Sequence, residues 1–303
     1  MKKNIVITGG SGFLGSNFIK KFYKKFNIIY NFDIYENKDL FNIKNVKFIK
    51  VDITKKIKQN ICSENISLVV HTAAKQPIGP KQNLEDFIKV NVDGIKNILK
   101  FTKENKIKKF INCSSFSVYG KPKKLPVYKK QELTPSNFYG LSKLLAEKIS
   151  QFYSNKYKIK NIILRFDGLY GYGQNLPGFI DFAIKQIKLN KDIELFSRGK
   201  QVRDQIYIND AIKVLFSACS FKTVKLNEIF NVGGGNPKNN LVICSEIKKS
   251  FVSKSKILLL NKKNSNFDYD FYMSLIETKK KLGYKPTKFH NILKQLITKY
   301  GEV

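Results

Sequence analysis

A tyrosine and a lysine in the middle of the chain have the spacing of a general base and the cation that activates it. Tyr139 and Lys143 stand four residues apart, one turn apart on the same face of a helix. A phenol, with a pKa of about 10, is a poor base at neutral pH unless a nearby cation stabilises its phenolate. Ser115 follows an apolar run and could hydrogen-bond the same substrate oxygen. Because the chain has 15 tyrosines, this spacing also arises by chance, and the interpretation as a site acting on a hydroxyl depends on its context.

A glycine-rich turn near the start of the chain provides that context. Gly9, Gly12 and Gly15 follow the β-branched run 5–7, where a buried strand would give way to a helix. Glycine lets the backbone turn tightly and approach a pyrophosphate, whose charge then faces the N–H groups of the helix N-terminus. Asp33 ends the next apolar run at the place of a ribose-binding acid, and a carboxylate would repel a 2′-phosphate. We therefore predict an NAD site, the alternatives being a structural turn and a solvated strand-end charge.

Strand and helix patterns alternate through the N-terminal half, which is typical of a parallel sheet with helices on both faces. We expect an α/β fold, a doubly wound parallel (Rossmann) sheet with a smaller C-terminal substrate-binding lobe. The predicted NAD-binding domain covers residues 1–166, its sheet layer also receives about 202–232, and the lobe covers 167–303. Further candidate cofactor contacts at strand ends, which could equally be ordinary loop residues, are Asp52, Ala73 and Ala74.

The composition limits the classes of protein to which the chain can belong. Its 303 residues, 42% of them hydrophobic, can bury a full core, and no apolar segment is long enough to span a membrane, so we expect a soluble protein. The net charge of +33 comes from scattered lysines, and we expect no nucleic-acid binding. Four separated cysteines and two histidines predict no metal site and fit a reducing cytoplasm; His71 is interpreted as a packed structural residue. Arginine in a lysine-rich chain indicates places that need a planar fork, and it stands at Arg165, Arg198 and Arg203.

Motifs in order along nearly the whole chain resemble those of the extended short-chain dehydrogenases/reductases, in the NAD-dependent nucleotide-sugar epimerase/dehydratase family. They are TGGSGFLGS (8–16), VVHTAA (69–74), NVDG (91–94), SSFSVYG (114–120), YGLSK (139–143), LRFDGLYG (164–171), VRDQIYINDA (202–211), FNVGGG (230–235) and KKLGYKPT (280–287). The resemblance implies an NAD site lined by Phe13, Leu14, Asp33, Asp52, Ile53, Lys75 and Asn91. It implies catalysis by Ser115, Tyr139 and Lys143, and a grip on the phosphates of a nucleotide-sugar by Asn175 and Arg203.

Two predicted helices carry apolar stripes. We expect the stripes of 84–102 and 141–152, the latter with Leu144, Leu145 and Ile149, to face the core. The resemblance implies instead that helices 84–102 and 137–154 form a homodimer, and both interpretations stay open.

Departures from the family pattern narrow the expected activity. Phe116 and Ser117 stand where the resemblance implies the Asp-Glu pair of dehydratases, Gly168 replaces an asparagine, and 265–270 lacks an expected arginine. We predict an NAD-dependent epimerase acting at C4 of a nucleotide-sugar: by the family mechanism Tyr139 takes the hydroxyl proton, and the transient 4-keto sugar receives its hydride back on the other face. The alternatives are a nucleotide-sugar 4-dehydrogenase or 4-ketoreductase and, more remotely, a non-catalytic NAD-binding protein.

Overall fold

The computed structural model describes residues 2–77, 82–174, 178–263 and 269–301. Its strands are β1 (Ile5–Thr8), β2 (Ile29–Asp33), β3 (Val46–Lys50), β4 (Leu68–His71), β5 (Lys109–Ser115), β6 (Lys160–Phe166), β7 (Leu169–Tyr170), β8 (Ile193–Leu195), β9 (Val202–Arg203), β10 (Ile206–Tyr207), β11 (Asn227–Val232), β12 (Lys238–Asn239) and β13 (Ile257–Leu259). Its α-helices are α1 (Phe13–Phe22), α2 (Leu84–Phe87), α3 (Gly94–Glu104), α4 (Phe138–Tyr157), α5 (Phe179–Lys188), α6 (Ile208–Ser220), α7 (Asn240–Ser250), α8 (Ile276–Leu282) and α9 (Phe289–Gly301). None of these helices is both long and apolar enough to cross a bilayer.

Within the described residues, seven strands form the central sheet in the order β11-β6-β5-β4-β1-β2-β3. The pairs from β6 to β3 are parallel. The inner strand β1 is fully buried, and its side chains alternate between the two faces. Val6 packs with Ile95 and Ile98 of α3 and with Ala146 of α4 in one core cluster. The predicted doubly wound α/β fold is confirmed.

The helix predicted over 84–102 is interrupted in its middle. After α2 the backbone makes a π-helical turn, Ile88–Asp93, before α3 begins at Gly94. A Cβ at Gly94 would lie 2.7 Å from Cδ1 of Ile53, so glycine lets this point of the helix approach the loop after β3. The apolar spacing could not reveal the interruption, because a single inserted residue hardly changes it. π-helical turns occur frequently at functional sites.

Helix α4 turns a polar face inward, which contradicts the predicted core stripe. Its buried residues include Ser142, Lys143 and Glu147, whereas Leu145 is exposed and Leu144 and Ile149 are only half-buried. Polar side chains can occupy this face because each finds a hydrogen-bond partner there, as described below. Leu145 therefore faces solvent, whereas Ile149 packs against the edge of the core cluster.

The chain divides into two compact units. Unit 1 comprises the described residues of 1–120, 130–166 and 212–230, and unit 2 comprises those of 121–129, 167–211 and 231–303. The sequence placed 202–211 in the main sheet layer, but β10 pairs with β7 and β9 pairs with β12 in small sheets of unit 2. The run 206–208 is as apolar as a strand of the central sheet. The sequence alone therefore could not tell a strand of the central sheet from a strand of a small sheet in unit 2. Segment 121–129, which the sequence assigned to the NAD-binding domain, also belongs to unit 2.

Candidate active site

The loop between β1 and α1 brings its glycines against neighbouring backbone. Gly9 has a positive φ of 69°, and a Cβ there would lie 2.6 Å from the backbone of Ala73. A Cβ on Gly15 would lie 2.4 Å from the carbonyl oxygen of Gly9. Any larger side chain would push the loop off the strand and helix that it joins, so these two positions require glycine.

The N-terminus of α1 leaves its first backbone N–H groups, at Phe13 and Leu14, to a ligand. Gly12 is the N-cap, no side chain caps the helix, and its first turn carries no acid. A Cβ on Gly12 would meet only the carbonyl oxygen of Gly9 within 4 Å, at 3.3 Å, and would otherwise project into open space. An uncapped helix N-terminus beside open space fits a phosphate. The residues present therefore fit the pyrophosphate of NAD.

Asp33, at the end of β2, is fixed by the glycine loop. Its carboxylate accepts hydrogen bonds from the backbone N–H of Ser11 at 3.0 Å and of Ile34 at 2.8 Å. Burial raises the pKa of Asp33, and these N–H groups lower it. The backbone N–H of Tyr35 also bonds this carboxylate, which therefore anchors the loop and retains one of its roughly four lone-pair sites for a further donor.

The remaining predicted cofactor residues lie in the loops after β3 and β4. The Asp52 carboxylate accepts hydrogen bonds from the N–H and the hydroxyl of Thr54, and these bonds lower the pKa of Asp52. The carbonyl of buried Ile53 accepts a bond from Asn97. Ala73 and Ala74 are half-buried, and the exposed side chain of Lys75 lies 3.6 Å from Asp86. Thr72 and Ala73 are bonded to Thr8, and the backbone of Lys75 is held from the other side of the loop.

Asn91 holds that backbone from the π-helical turn. Its Oδ1 accepts the N–H of Lys75 at 2.8 Å, and its Nδ2 donates to the carbonyl of Lys75 and to Oγ of Ser142 at 2.9 Å. Ser142 in turn donates to the carbonyl oxygen of Tyr139 at 2.8 Å. All polar atoms of the buried Asn91 amide are thus engaged, and Asn91 ties the loop after β4 to α4.

Ser115 and Tyr139 are brought together as the sequence predicted. Tyr139 is buried at the start of α4, and its hydroxyl is hydrogen-bonded to the side chains of Ser115 and Gln76. Burial raises the pKa of Tyr139, and these two hydrogen bonds lower it. Oγ of Ser115 also accepts the N–H of Ser117 at 3.2 Å. The sequence analysis missed Gln76, whose only signal is its place directly after the loop that follows β4.

Lys143 lies one turn further along α4 than Tyr139 and is buried. Its Nζ donates to the carbonyl oxygen of Cys113 at 2.7 Å. Burial lowers the pKa of Lys143. Complete burial, together with the charge of Lys143, lowers the pKa of His71 to about 3. Nδ1 of His71 shares a 2.7 Å hydrogen bond with the Thr8 hydroxyl. His71 is therefore neutral and structural.

A buried ion pair lies behind the catalytic residues. Arg165 on β6 grips both oxygens of Glu147 on α4, at 2.9 Å and 2.7 Å, and donates to the hydroxyl of Tyr119 at 2.7 Å. Oγ of Ser114, next to Ser115, donates to the same carboxylate at 2.6 Å. Arg165 and Glu147 are only 2% and 1% exposed. The rarity of arginine indicated a planar fork, and at Arg165 its partner is this carboxylate.

The predicted phosphate contacts belong to unit 2. Asn175 lies outside the described residues. Arg203 donates through Nη1 to the carbonyl oxygens of Val202 and Tyr269, and its guanidinium lies 5.3 Å from the ring centre of Tyr269. Arg198 is exposed and contacts Asn261.

Comparison with known proteins identifies the family. The sequence profile of the NAD dependent epimerase/dehydratase family matches residues 5–233. The chain belongs to this family. The family prediction is confirmed, and NAD is the cofactor on which the family depends.

Members of the epimerase/dehydratase family that resemble the chain have several activities. One, from Methanocaldococcus jannaschii, bears the provisional name UDP-glucose 4-epimerase and is 30% identical over 93% of this chain and 93% of its own. Another, the dTDP-4-dehydro-6-deoxyglucose reductase of Escherichia coli, is 28% identical over 94% of this chain and 93% of its own. The UDP-glucuronic acid 4-epimerase of Bacillus cereus, solved with NAD, is 26% identical, with a TM-score of 0.83 over 97% of this chain and 99% of the other.

Within this family the turn after Ser115 separates the possible reactions. It carries Phe116 and Ser117, and neither side chain can exchange a proton as a carboxylic acid does. Ser117 is bonded to Ser115 instead, through its N–H and through its hydroxyl at 3.2 Å. The turn therefore supports the geometry of Ser115 and supplies no acid for the elimination of water.

Proposed function

We propose that the protein is an NAD-dependent epimerase that inverts C4 of a nucleotide-sugar through a transient 4-keto sugar. The observation that carries this proposal is the hydrogen bond between Ser115 and Tyr139 in a chain of the epimerase/dehydratase family. The turn that follows Ser115 contains no acidic residue. A hydroxyl pair of this kind acts on a substrate hydroxyl. A turn without a carboxyl group favours epimerisation over dehydration.

The cofactor site is proposed to be built by unit 1. The N-terminus of α1 at Gly12, Phe13 and Leu14 would hold the pyrophosphate, and Asp33 the adenosine ribose. Asp52, Ile53, Ala73 and Ala74 would line the adenine side, and the backbone of Lys75, held by Asn91, the nicotinamide side. NAD, when bound, accepts a hydride from the substrate carbon and gives it back.

The chain's own residues would move and hold the proton. Tyr139 takes the proton of the C4 hydroxyl, and Ser115 holds the same oxygen by a hydrogen bond. Since burial raises the pKa of Tyr139, its phenolate needs the positive field of Lys143 on the same helix face. Tyr139 returns the proton after the 4-keto sugar has turned over. Arg203 is proposed to hold the diphosphate of the substrate by its planar fork, and Asn175 to assist it.

Two further expectations belong to this proposal. We propose a homodimer formed by α3 and α4, because α4 exposes Leu145 and Phe152 on the face away from the sheet. We also propose a cytoplasmic enzyme, since all four cysteines are free thiols, as expected in a reducing compartment.

A 4-ketoreductase is the second candidate, because a relative with that chemistry in its name covers nearly the whole chain. Incubation with UDP-, GDP-, CDP- and dTDP-sugars, with NADH absorbance and products followed together, separates the two. An epimerase forms product in many-fold excess over enzyme while external NADH is neither consumed nor accumulated. Stoichiometric NADH turnover would replace the epimerase with the reductase or dehydrogenase.

The role of Tyr139 is tested in the same assay. Tyr139→Phe removes the acid/base hydroxyl, so kcat should fall by roughly 10²–10⁴. Tyr153→Phe is the matched control, because Tyr153 is half-buried on the same helix and its ring lies 5.3 Å from that of Tyr157. Full activity in Tyr139→Phe would remove Tyr139 from the mechanism.

A further inference from the structure

Asp167 in unit 2 carries a buried carboxylate oxygen that no described residue satisfies. The side chain is 4% exposed, and its Oδ1 accepts the N–H of Gly168 at 2.7 Å. Its Oδ2 has no hydrogen-bond partner among the residues that the structure describes. Such an atom is expensive to bury, because it loses water and gains nothing in return. Burial, with the negative charge of Asp204, raises the pKa of Asp167 to about 7.

A second acceptor lies beside it. Oε1 of Gln205 is also buried without a partner in the described part of the chain. The Nε2 atom of Gln205 lies 3.0 Å from the point where a Cβ on Gly168 would stand. Because Gly168 has no side chain, the Gln205 amide can occupy that space. Asp167 precedes Gly168 and the Gln205 amide packs against it, so two unsatisfied acceptors belong to side chains that adjoin this glycine.

Two other groups of unit 2 complete the cluster. Arg203 is close enough for its charge to lower the pKa of Asp167, and Asp167 helps to raise the pKa of Tyr269. Asp204 is already committed, since its carboxylate binds the N–H groups of Gly235 and Asn236 at 2.9 Å and 2.8 Å. The acceptors left for a ligand are therefore those of Asp167 and Gln205.

We propose that Asp167 and Gln205 recognise hydroxyl donors of the glycosyl group of the substrate, and so select a neutral sugar over one that carries a carboxylate. The proposal rests on the proposed function. Two acceptors need two donors: a diphosphate offers none and a uracil base offers one N–H, whereas the ribose offers two hydroxyls and a hexosyl group several. Arg203 beside the cluster favours the glycosyl side of the diphosphate, and the affinity for UDP, which has the ribose and lacks the glycosyl group, separates the two. A sugar carboxylate placed against Asp167 would be repelled and would leave both acceptors unpaired. Arg203 beside the cluster suits the phosphate that joins the sugar.

The test is a set of calorimetric affinities for UDP-glucose, UDP-glucuronate and UDP in the presence of NAD. Asp167→Asn keeps the shape of the side chain and removes its charge. We expect the preference for UDP-glucose over UDP-glucuronate to fall at least roughly tenfold, while the affinity for UDP stays within about twofold. The affinity for NAD, which unit 1 binds, should not change.

Asp210→Asn is the matched control. Asp210 is a buried acid of unit 2, but both of its carboxylate oxygens accept hydrogen bonds from Thr287, one from the backbone N–H at 2.7 Å and one from the hydroxyl at 2.8 Å. Asp210→Asn should leave the sugar preference unchanged. An unchanged preference in Asp167→Asn, or an equal change in both variants, would overturn the role of Asp167 and leave the proposed function standing. If the wild-type protein binds none of the three ligands, the proposed substrate class fails as well.

Discussion

Removal of Arg165 tests whether the buried ion pair holds the catalytic helix in place. Arg165→Met keeps an unbranched side chain of similar length and leaves the carboxylate of Glu147 with only the 2.6 Å bond from Ser114. Burial opposes the charge of Arg165, but the bonds and charge of Glu147 hold its pKa above the ordinary value. The charge of the buried Arg165 side chain is therefore stabilised by Glu147.

The expected effect is large because both partners are 2% exposed or less. Breaking a buried pair by removing one partner destabilises a protein by about 3–5 kcal/mol. At roughly 2–4 °C per kcal/mol, the melting temperature should fall by roughly 6–20 °C. Glu147→Leu combined with Arg165→Met removes both charges and should be closer to the parent than Arg165→Met alone, since replacing a buried pair by apolar groups is often neutral.

Scanning calorimetry of the parent and variants measures the effect. The control is Lys96→Met, which breaks the exposed 2.6 Å pair with Asp93 and should cost no more than about 1 kcal/mol. A loss below about 1 kcal/mol in Arg165→Met, or a double variant that is no more stable than Arg165→Met alone, would refute the reasoning.

The remaining predictions concern the cofactor, the substrate and acid stability. Asp33→Ala should lower the preference for NAD over NADP at least roughly tenfold. It should also reduce the melting temperature, because the carboxylate of Asp33 anchors the glycine loop. Binding measurements with NAD and NADP check the preference, and the exposed Asp39→Ala is the control. Arg203→Lys keeps the positive charge and loses the planar guanidinium, so KM for the nucleotide-sugar should rise while the affinity for NAD is unchanged. The control, Arg198→Lys at an exposed position, should alter neither quantity. An unaltered KM in Arg203→Lys would remove Arg203 from the substrate site. Burial lowers the pKa of His71 from 6.5 to about 3, so only the unfolded chain takes up this proton between those values. Its contribution to stability is complete above pH 6.5 and is lost as the pH falls, by roughly 4–5 kcal/mol at pH 3. In His71→Asn the denaturant-derived stability should fall less steeply from pH 6.5 to 4 than in the parent, and parallel pH profiles would contradict a neutral His71.

The parts of the fold that the sequence predicted depend on local spacing. The glycine loop, the strands and the placing of Tyr139 and Lys143 one turn apart on one helix each lie within one or two consecutive elements, where residue type and period suffice. Ser115 joined this group because the end of one strand and the start of α4 lie together in a parallel α/β sheet. The roles of these residues in binding and catalysis remain predictions.

The parts that could not be predicted depend on partners distant in sequence. The fork of Arg165 was foreseen from its rarity, but its partner Glu147 lies on another element and could not be read from either neighbourhood. Asn91 was expected to line the cofactor site, whereas its amide is engaged with Lys75 and Ser142. Single-sequence patterns carry no information on such pairs.

The error on α4 links these observations. Periodicity placed its leucines in the core, but the inward face carries Ser142, Lys143 and Glu147, each bonded to a neighbouring element or to the helix itself. An acid/base residue must be held within a fraction of an ångström, and hydrogen bonds fix a helix in direction and register, which apolar contacts do less well. In the proposed mechanism the polar face positions Tyr139, and the exposed apolar residues of α4, Leu145 among them, lie where we propose that a second copy of the chain packs. The arrangement of polar and apolar residues on this one helix would in this way serve both the geometry of the site and the proposed dimer.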